Sequence, residues 1–425
     1  MRSRQEAVLD QVLPASNNVV AQDLSVALLT GGGDQPYAFG LSNALMSAEV
    51  GLDIIGNDEL DCAAFHGRPK VNFFNLRGDQ SSGAGIATKV HRLSRYYLRL
   101  ISYAATAKSP IFHILWNNRI EWFDRTLLML YYKLLGKKVV LTAHNINAGT
   151  RDANDTVFNR MTLRAQYRLA DHLFVHTEKM KQDMVEQIGI KSSQITVIPF
   201  GINNAVPHTD LTTREAKQRL GIQADEKAIL FFGNIAPYKG LEYLVGAFHQ
   251  IAVRNECYRL IICGRAKDAK YWQTIEKTIR HDVGSGRVLL RADFVPDEET
   301  EIYFKAADVV ALPYTHIFQS GVLFLGYSFG LPVVASDVGS LREDIVEGET
   351  GFVCKPCDAE DLARALEAYF ASPLYHQLEA RRNQIHNFAA ETHSWDTVSR
   401  ITCSIYRQLL SPAQSPSAEQ RLASL

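Results

Sequence analysis

Short apolar runs alternate along most of the chain with longer stretches in which apolar side chains recur every three or four residues. A short, wholly apolar run is typical of a strand buried on both faces, and the longer stretches are typical of amphipathic helices. The runs predict strands at 24–29, 52–55, 71–74, 111–115, 138–143, 173–176, 196–198, 228–232, 259–263, 288–290, 309–312, 332–336 and 351–353. Helices are predicted after Pro36 and at 86–107, 126–135, 240–253, 297–306, 322–329, 360–369 and 395–410. The alternation predicts an α/β fold built on parallel sheets.

A segment rich in Pro, Gly and Asn, residues 199–207, interrupts the alternation before it starts again. We therefore predict two Rossmann-like, doubly wound domains that face a cleft, with a hinge near Phe200–Pro207. The predicted boundaries are 1–23 for a weakly structured leader, 24–204 and 205–388 for the two domains, 389–411 for a C-terminal helical segment, and 412–425 for a flexible tail.

The composition is that of an ordinary globular protein, with 46% hydrophobic and 21% charged residues. The formal net charge of -1 gives no reason to expect nucleic acid as a partner. Six scattered cysteines are typical of a reduced, cytoplasmic protein, and the CxxC pair Cys354 and Cys357 has no second pair with which to form a zinc site. No signal peptide or membrane-spanning helix is expected.

Several predicted strands end in glycine or a small polar residue, and ligands of open parallel sheets bind beyond the carboxyl ends of strands. The ends that stand out are Gly31–Gly33, His144–Asn145, Gly233–Asn234, Gly264 and the stretch from His316 through Gln319 and Ser320 to Gly321 and Val322. The triple glycine either forms a tight turn or lets the backbone approach a ligand closely, and both interpretations stay open.

Lys239 stands just before a predicted helix, where a cation opposes the helix dipole unless an anion is nearby. A bound diphosphate would remove that conflict, whereas the alternative is an ordinary solvated lysine. The backbone N–H groups of Ser320, Gly321 and Val322 are also candidates for phosphate binding, although Ser320 equally suits a helix N-cap. His144, at the end of a buried strand, is either a ligand-facing side chain or a satisfied polar group.

The segment Lys89–Ile101 places Val90, Leu93, Tyr97 and Leu100/Ile101 on one face of a helix, beside Lys89, Arg92, Arg95 and Arg99. Such a helix either lies on an anionic membrane surface or packs on the core with a solvated basic side. If the protein meets a membrane, we expect peripheral contact through residues 89–101, at the inner face of the membrane.

Three stretches of the C-terminal half resemble glycosyltransferase family 4, a retaining family with the two-domain GT-B fold. They are FFGNIAPYKGLEYLVGAF, ADVVALPY and GVLFLGYSFGLPVVASDVGSLREDIVEGETGFVCKPCDAEDLARAL. The N-terminal half is similar more loosely, through the glycine loop and VVLTAHN. The resemblance implies an acceptor-side N-terminal domain, a donor-side C-terminal domain, and a last helix that crosses back to the first. It also implies a metal-independent hexosyltransferase without a cofactor, which takes UDP- or GDP-sugar and transfers to a glycan or a lipid-linked acceptor.

The resemblance also assigns roles. Lys239 matches the family's diphosphate-binding lysine, and His144 its histidine near the donor sugar. Gly31, Gly32 and Gly33 match the loop over the donor phosphates and acceptor, while Gly321 and Val322 match backbone positions at the sugar and diphosphate.

Two departures from the family pattern leave another function open. The arginine that accompanies the family lysine is Asn234 here, and two family glutamates are Ile317 and Leu325, so Gln319 and Ser320 are expected to take their place. The alternatives are a non-catalytic or degenerate member that serves as a sugar-nucleotide-binding or scaffold subunit, or another GT-B sugar-nucleotide enzyme.

Overall fold

The computed structural model describes residues 24–80, 83, 85–147, 149, 155–202 and 206–411. The predicted leader 1–23, the predicted tail 412–425 and residues 203–205 of the predicted hinge lie outside this range. Among the described residues, no helix combines the length and the apolar character that a membrane span requires.

The first sheet has seven strands, and its central strands consist mostly of buried apolar residues. The strands are β1 (Ser25–Leu29), β2 (Gly51–Gly56), β3 (Val71–Asn75), β4 (Ile111–Ile114), β5 (Lys138–Thr142), β6 (His172–Val175) and β7 (Ile195–Val197). Their order across the sheet is β3-β2-β1-β4-β5-β6-β7. β1 pairs in parallel with both β2 and β4, so the strand order reverses beside β1.

The second sheet has six strands: β8 (Lys227–Phe232), β9 (Tyr258–Cys263), β10 (Val288–Arg291), β11 (Val309–Leu312), β12 (Val333–Ser336) and β13 (Gly351–Cys354). Their order is β10-β9-β8-β11-β12-β13, and β8 pairs in parallel with β9 and β11. All four residues of β11 and of β12 are buried, as expected for strands covered on both faces. The α/β class predicted from the alternation is confirmed.

Helices connect the strands and cover the sheets. The α-helices are Gln35–Ser47, Ile86–Thr106, Glu121–Phe123, Met129–Leu134, Val157–Leu169, Glu178–Asp183, Thr213–Arg219, Leu241–Arg254, Ala269–Gly284, Asp297–Ala306, Gly321–Ser328, Ala359–Ala371, Pro373–His376, Leu378–Thr392 and Trp395–Leu410. Asp124–Leu128 and Met184–Ile188 are π-helical, and short 3₁₀ turns include Pro237–Lys239 and Leu341–Asp344. Ala269–Gly284 was not predicted; its apolar stripe is narrow, with only Ile275 and Ile279 as buried apolar residues.

The chain divides into two compact units. Of the described residues, 24–142, 165–173 and 396–411 belong to the first unit. The described residues within 143–164 and 174–395 belong to the second unit. In the first unit, the last helix contributes Tyr406, which is fully buried and whose hydroxyl lies 2.6 Å from Nδ1 of His113 on β4. The second unit has a continuous apolar core around its six-stranded sheet.

Candidate functional site

In the second unit, the strand order reverses between β8 and β11, and the loops at the carboxyl ends of these strands carry most of the predicted site. Gly233 follows β8, and Gly264 follows the neighbouring β9. A Cβ on Gly264 would collide with the Gly233 carbonyl, and the φ angle of Gly264 is +146°, so this close approach requires glycine. The two loops continue the sheet through Ile235 and Ala266, and Gly233 lies against Val322.

Lys239 ends the 3₁₀ turn after β8, and it is buried, with 7% of its surface exposed. Its Nζ donates to the Tyr314 hydroxyl at 2.7 Å and lies 4.1 Å from the centre of the Tyr314 ring. The same hydroxyl lies 3.1 Å from Oγ of Ser320. A buried ammonium needs hydrogen-bond partners, and this chain of three groups fixes the cation beside the start of the next helix. The interpretation of Lys239 as a solvated surface lysine is therefore wrong.

Ser320 occupies the N-cap position of helix Gly321–Ser328, but its side chain makes no capping hydrogen bond. Its hydroxyl contacts Tyr314 instead, and Ser320 is buried, whereas Gly321 is exposed and Val322 is partly buried. The first amides of a helix have no intrahelical acceptor, and the helix dipole makes this end electropositive. The start of this helix can therefore receive an anion directly beside the Lys239 ammonium.

Gln319 precedes this helix and contacts a largely buried carboxyl group that was not predicted. Its Nε2 lies 3.5 Å from Oδ2 of Asp344, and Oδ1 of Asp344 lies 3.9 Å from Nε2 of His393. The Gln319 Oε1 is buried and has no hydrogen-bond partner among the described residues. An unsatisfied amide oxygen in a loop at the switch point is a suitable acceptor for a ligand hydroxyl.

Burial decides the charge of these groups. It raises the pKa of Asp344 to about 7, against an ordinary value of 3.8, and lowers the pKa of His393 to about 4. Between these two values both groups are neutral, so their 3.9 Å approach is not an ion pair. The neutral carboxyl group can donate a hydrogen bond.

His144 is joined to the same region through aromatic side chains. Its Nδ1 lies 3.0 Å from Nε2 of His176, whose pKa burial lowers to about 4. The ring of Phe200 packs edge-on against both imidazoles and stacks on Phe324 at 5.4 Å. Phe200 also lies 4.0 Å from the position that a Cβ on Gly321 would occupy, so His144 and the helix start flank the same phenyl ring.

Other predicted residues are placed differently. Asn234 and His316 are exposed, and the His316 ring lies 6.5 Å from that of Phe318. Ile317 and Leu325, which the resemblance aligns with two family glutamates, are buried in the apolar core of the second unit.

The residues of the CxxC pair differ in environment. Cys354 is buried and Cys357 is exposed, and both are free thiols. Nowhere in the described part of the chain do three His, Cys, Asp or Glu side chains converge as a possible metal site.

In the first unit, Gly31, Gly32 and Gly33 follow β1, where that sheet reverses its order. Gly31 and Gly32 have φ angles of +62° and +76°, which a tight turn requires. Added Cβ atoms would collide with Trp116 at Gly31 and Gly33, and with the Arg77 guanidinium at Gly32. The tight turn is thus confirmed for two of the glycines, and the close neighbours are protein groups.

Sequence reasoning missed Tyr314, Asp344, His176 and His393. Tyr314 stands at the end of an apolar run, and its pKa is raised by burial. Asp344 follows two charged residues in a loop. Neither position carries a sequence signal for the contacts that its side chain makes.

Comparison with known proteins identifies related glycosyltransferases. A family model described as "Glycosyl transferases group 1" matches residues 212–390, and one described as "Glycosyltransferase Family 4" matches 121–206. Among similar proteins, D-inositol 3-phosphate glycosyltransferase of Corynebacterium aurimucosum is 28% identical over 58% of this chain and 61% of its own. The enzyme of the same name from Corynebacterium diphtheriae is 30% identical over 58% and 60%, so the aligned part spans about three fifths of these relatives.

Two solved structures are similar over almost their whole length. Sucrose-phosphate synthase from Thermosynechococcus elongatus has a TM-score of 0.73 at 21% identity, covering 91% of this chain and 99% of that one. HepE from Anabaena, in complex with UDP and glucose, has a TM-score of 0.70 at 16% identity, covering 91% and 100%. From the two sheets, the matched models and these folds, the chain belongs to the family 4 glycosyltransferases with the GT-B fold.

Proposed function

We propose that this protein is a retaining glycosyltransferase that moves a hexose from a UDP- or GDP-sugar to a glycan or lipid-linked acceptor. The observation that carries the proposal is the chain from Lys239 through Tyr314 to Ser320, which holds a buried ammonium beside the start of helix Gly321–Ser328. Support for the donor class comes from family membership and from HepE, whose structure contains UDP and glucose.

The diphosphate is proposed to lie against Lys239 and the N-terminal amides of this helix. The Lys239 ammonium donates to the Tyr314 oxygen, so the Tyr314 hydrogen is available to Ser320 Oγ. The Ser320 hydroxyl can then donate to a phosphate oxygen, together with the amides of Gly321 and Val322. Fixed donors of this kind stabilise charge that develops in the transition state without reorganising.

In the proposed reaction, the bond between the anomeric carbon and the diphosphate oxygen breaks, and a bond to the acceptor oxygen forms on the same face of the sugar. The acceptor proton passes to the departing diphosphate oxygen, so no protein nucleophile is required. Negative charge builds on the diphosphate as the bond lengthens, which assigns the main electrostatic task to Lys239.

The sugar is proposed to lie between His144 and Gln319. Gln319 offers its buried, unsatisfied Oε1 to a sugar hydroxyl, and the neutral Asp344 holds the other end of the amide. Phe200 lies beside His144 and Gly321 and closes this region with an apolar ring. These contacts are proposed to replace the missing family carboxylates.

Peripheral membrane contact is proposed for a narrower surface than the whole segment 89–101. Tyr97 and Leu100 are buried in the first unit, so half of the predicted apolar stripe belongs to the core. The exposed apolar side chains of this helix are Ile86, Val90 and Leu98, at 83%, 59% and 69% exposure.

The direct test of the reaction is Lys239→Met, with Lys277→Met on an exposed helix surface as the matched control. At saturating donor, Lys239→Met should lower kcat by about 10²-fold with little change in KM, because the contact strengthens as charge develops. Tyr314→Phe keeps the ring, removes the hydroxyl and should give a smaller loss. A folded Lys239→Met protein with wild-type kcat would refute the assignment.

A panel of UDP-, GDP- and ADP-sugars identifies the donor by thermal shift, since ligand at about 100 times Kd adds roughly 2.7 kcal/mol of stability. Hydrolysis of the identified donor without acceptor then separates an enzyme from a scaffold. A protein that binds a donor and never cleaves it, with any acceptor, would support the scaffold alternative.

A further inference from the structure

The first unit contains a cavity of about 430 Å³ that the reaction site does not include. It lies between the segment after β3 and the N-terminal half of helix Ile86–Thr106. Four cationic side chains line it, and one acidic side chain: Arg77, Lys89, Arg92, Arg119 and Asp79. Concave sites concentrate the field of like charges, so this cavity attracts anions more strongly than the same residues would on a flat surface.

Arg77 is held in a defined position. Its Nη1 donates to the Gly31 carbonyl, its Nη2 lies 3.5 Å from Oε1 of Gln80, and its guanidinium lies 5.5 Å from the centre of the Tyr96 ring. Tyr96 is itself buried and donates to Oδ1 of Asn118 at 2.6 Å. The cavity therefore has a fixed cationic wall that adjoins the glycine loop.

Arg92 is held by the one acidic side chain of the lining. Its Nη2 lies 3.0 Å from Oδ2 of Asp79, and its Nη1 donates to the Asp79 carbonyl at 3.2 Å. The Arg92 side chain is one third exposed and that of Asp79 about half exposed, so the pair is open to solvent and of low energy. An incoming anion can compete with Asp79 for this guanidinium.

The rim of the cavity is apolar. Ile86 and Val90, which are largely exposed, stand on the same helix as Lys89 and Arg92. The lining thus combines guanidinium groups, each able to donate two hydrogen bonds to one phosphate, with apolar surface. This combination suits a phosphate ester rather than a bare inorganic ion.

We propose that this cavity binds a phosphate group of the acceptor, a monoester or diester carried by a sugar, a polyol or a lipid. The identification of the ligand as acceptor rests on the function proposed above, whereas the binding of a phosphate ester does not. Arg77 and Arg92 are the bidentate donors, Lys89 and Arg119 add charge at the opening, and Asp79 is displaced from Arg92 on binding.

Calorimetric titration with glucose 6-phosphate, and with glucose as the unphosphorylated control, tests the proposal. The double variant Arg92→Gln/Arg119→Gln should lose affinity for glucose 6-phosphate at least tenfold. The matched control is Arg95→Gln/Arg99→Gln, which removes two exposed arginines of the same helix that do not line the cavity and should stay within twofold of wild type. Asp79→Asn should bind more tightly. Equal losses in the two double variants, or binding of glucose as strong as that of its phosphate, would overturn the proposal.

Vesicles of phosphatidylglycerol in phosphatidylcholine distinguish the two sources of phosphate. If the ligand is a lipid phosphate, glucose 6-phosphate releases the wild type and the control variant from the vesicles but does not change the pelleting of the cavity variant. If it is a soluble phosphate ester, glucose 6-phosphate changes the pelleting of none of the three proteins. Lys239→Met should retain binding of glucose 6-phosphate, so a failed transfer reaction and a failed phosphate site give different results.

Discussion

The neutral state of Asp344 makes a quantitative prediction about stability and pH. Its pKa is about 7 in the folded protein because burial penalises the carboxylate, whereas an ordinary aspartate has 3.8. A folded-state pKa above the unfolded value means that the stability contribution of this group is intact below pH 3.8 and is lost as the pH rises through 7. Replacement by Asn removes the titration and keeps a polar side chain of the same shape.

The magnitude follows from the two pKa values. Each pH unit between them corresponds to about 1.4 kcal/mol, which amounts to about 4 kcal/mol across the whole window. Between pH 5 and pH 8, an accessible range for experiment, the expected loss is about 3 kcal/mol. Asp344→Asn should therefore gain about 3 kcal/mol of unfolding free energy relative to wild type when the pH is raised from 5 to 8.

Urea denaturation of both proteins at the two pH values measures this difference. The comparison is necessary because His176 and His393, whose pKa values burial lowers to about 4, contribute the opposite trend in both proteins. The stability that they add is lost as the pH falls from 6.5 to 4. Asp337→Asn, at a carboxylate that is half exposed, is the matched control. Parallel pH profiles for wild type and Asp344→Asn would show that Asp344 is ionised in the folded protein and refute the reasoning.

Three further outcomes are expected. Lys217→Met should destabilise the protein by about 3–5 kcal/mol in urea denaturation, because it leaves the buried Asp308 carboxylate, 3.0 Å from the Lys217 ammonium, without its cation. A loss of unfolding free energy below about 1 kcal/mol would contradict this. Asn234→Arg should partly restore kcat to the Lys239→Met enzyme by supplying a replacement cation at the exposed loop after β8. Unchanged kinetics at saturating donor would show that this loop does not face the diphosphate. Arg95→Glu/Arg99→Glu should reduce sedimentation with anionic vesicles at low salt, since each basic residue near the surface contributes about 1 kcal/mol, and unchanged pelleting would exclude membrane contact through these residues.

The strands were predictable because a strand covered on both faces is apolar at nearly every position, and that requirement is visible locally. The sequence also singled out Lys239, since a cation just before a helix conflicts with the dipole. Its role at the diphosphate stays a prediction. The basic helix was predicted less well. Tyr97 and Leu100 face the core and Val90 faces solvent, although all three occupy one predicted stripe, because the neighbouring elements decide which part of a stripe is covered.

The interior of the candidate site was not predictable from the sequence. Asp344 stands among charged residues in a short loop, and only the packing of the second unit buries it beside Gln319. The contact of Tyr314 with Lys239, 75 residues away in the chain, depends on the adjacency of β8 and β11. Sequence spacing identifies loops at strand ends, whereas hydrogen-bond partners depend on the strand order.

The helix Trp395–Leu410 has a consequence for the order of folding during synthesis. Its Tyr406 packs on His113, which also contacts Thr142 at 2.8 Å, so the core around a sheet whose first strand is Ser25–Leu29 is completed by residues made almost 400 positions later. Until the ribosome has released that helix, the first sheet lacks part of its cover and exposes apolar surface to other chains. The six-stranded sheet of the second unit is complete once Cys354 has been made, before the helix that covers the first sheet. We therefore expect the N-terminal sheet to reach its final packing last, and nascent chains that stall before residue 395 to depend on chaperones.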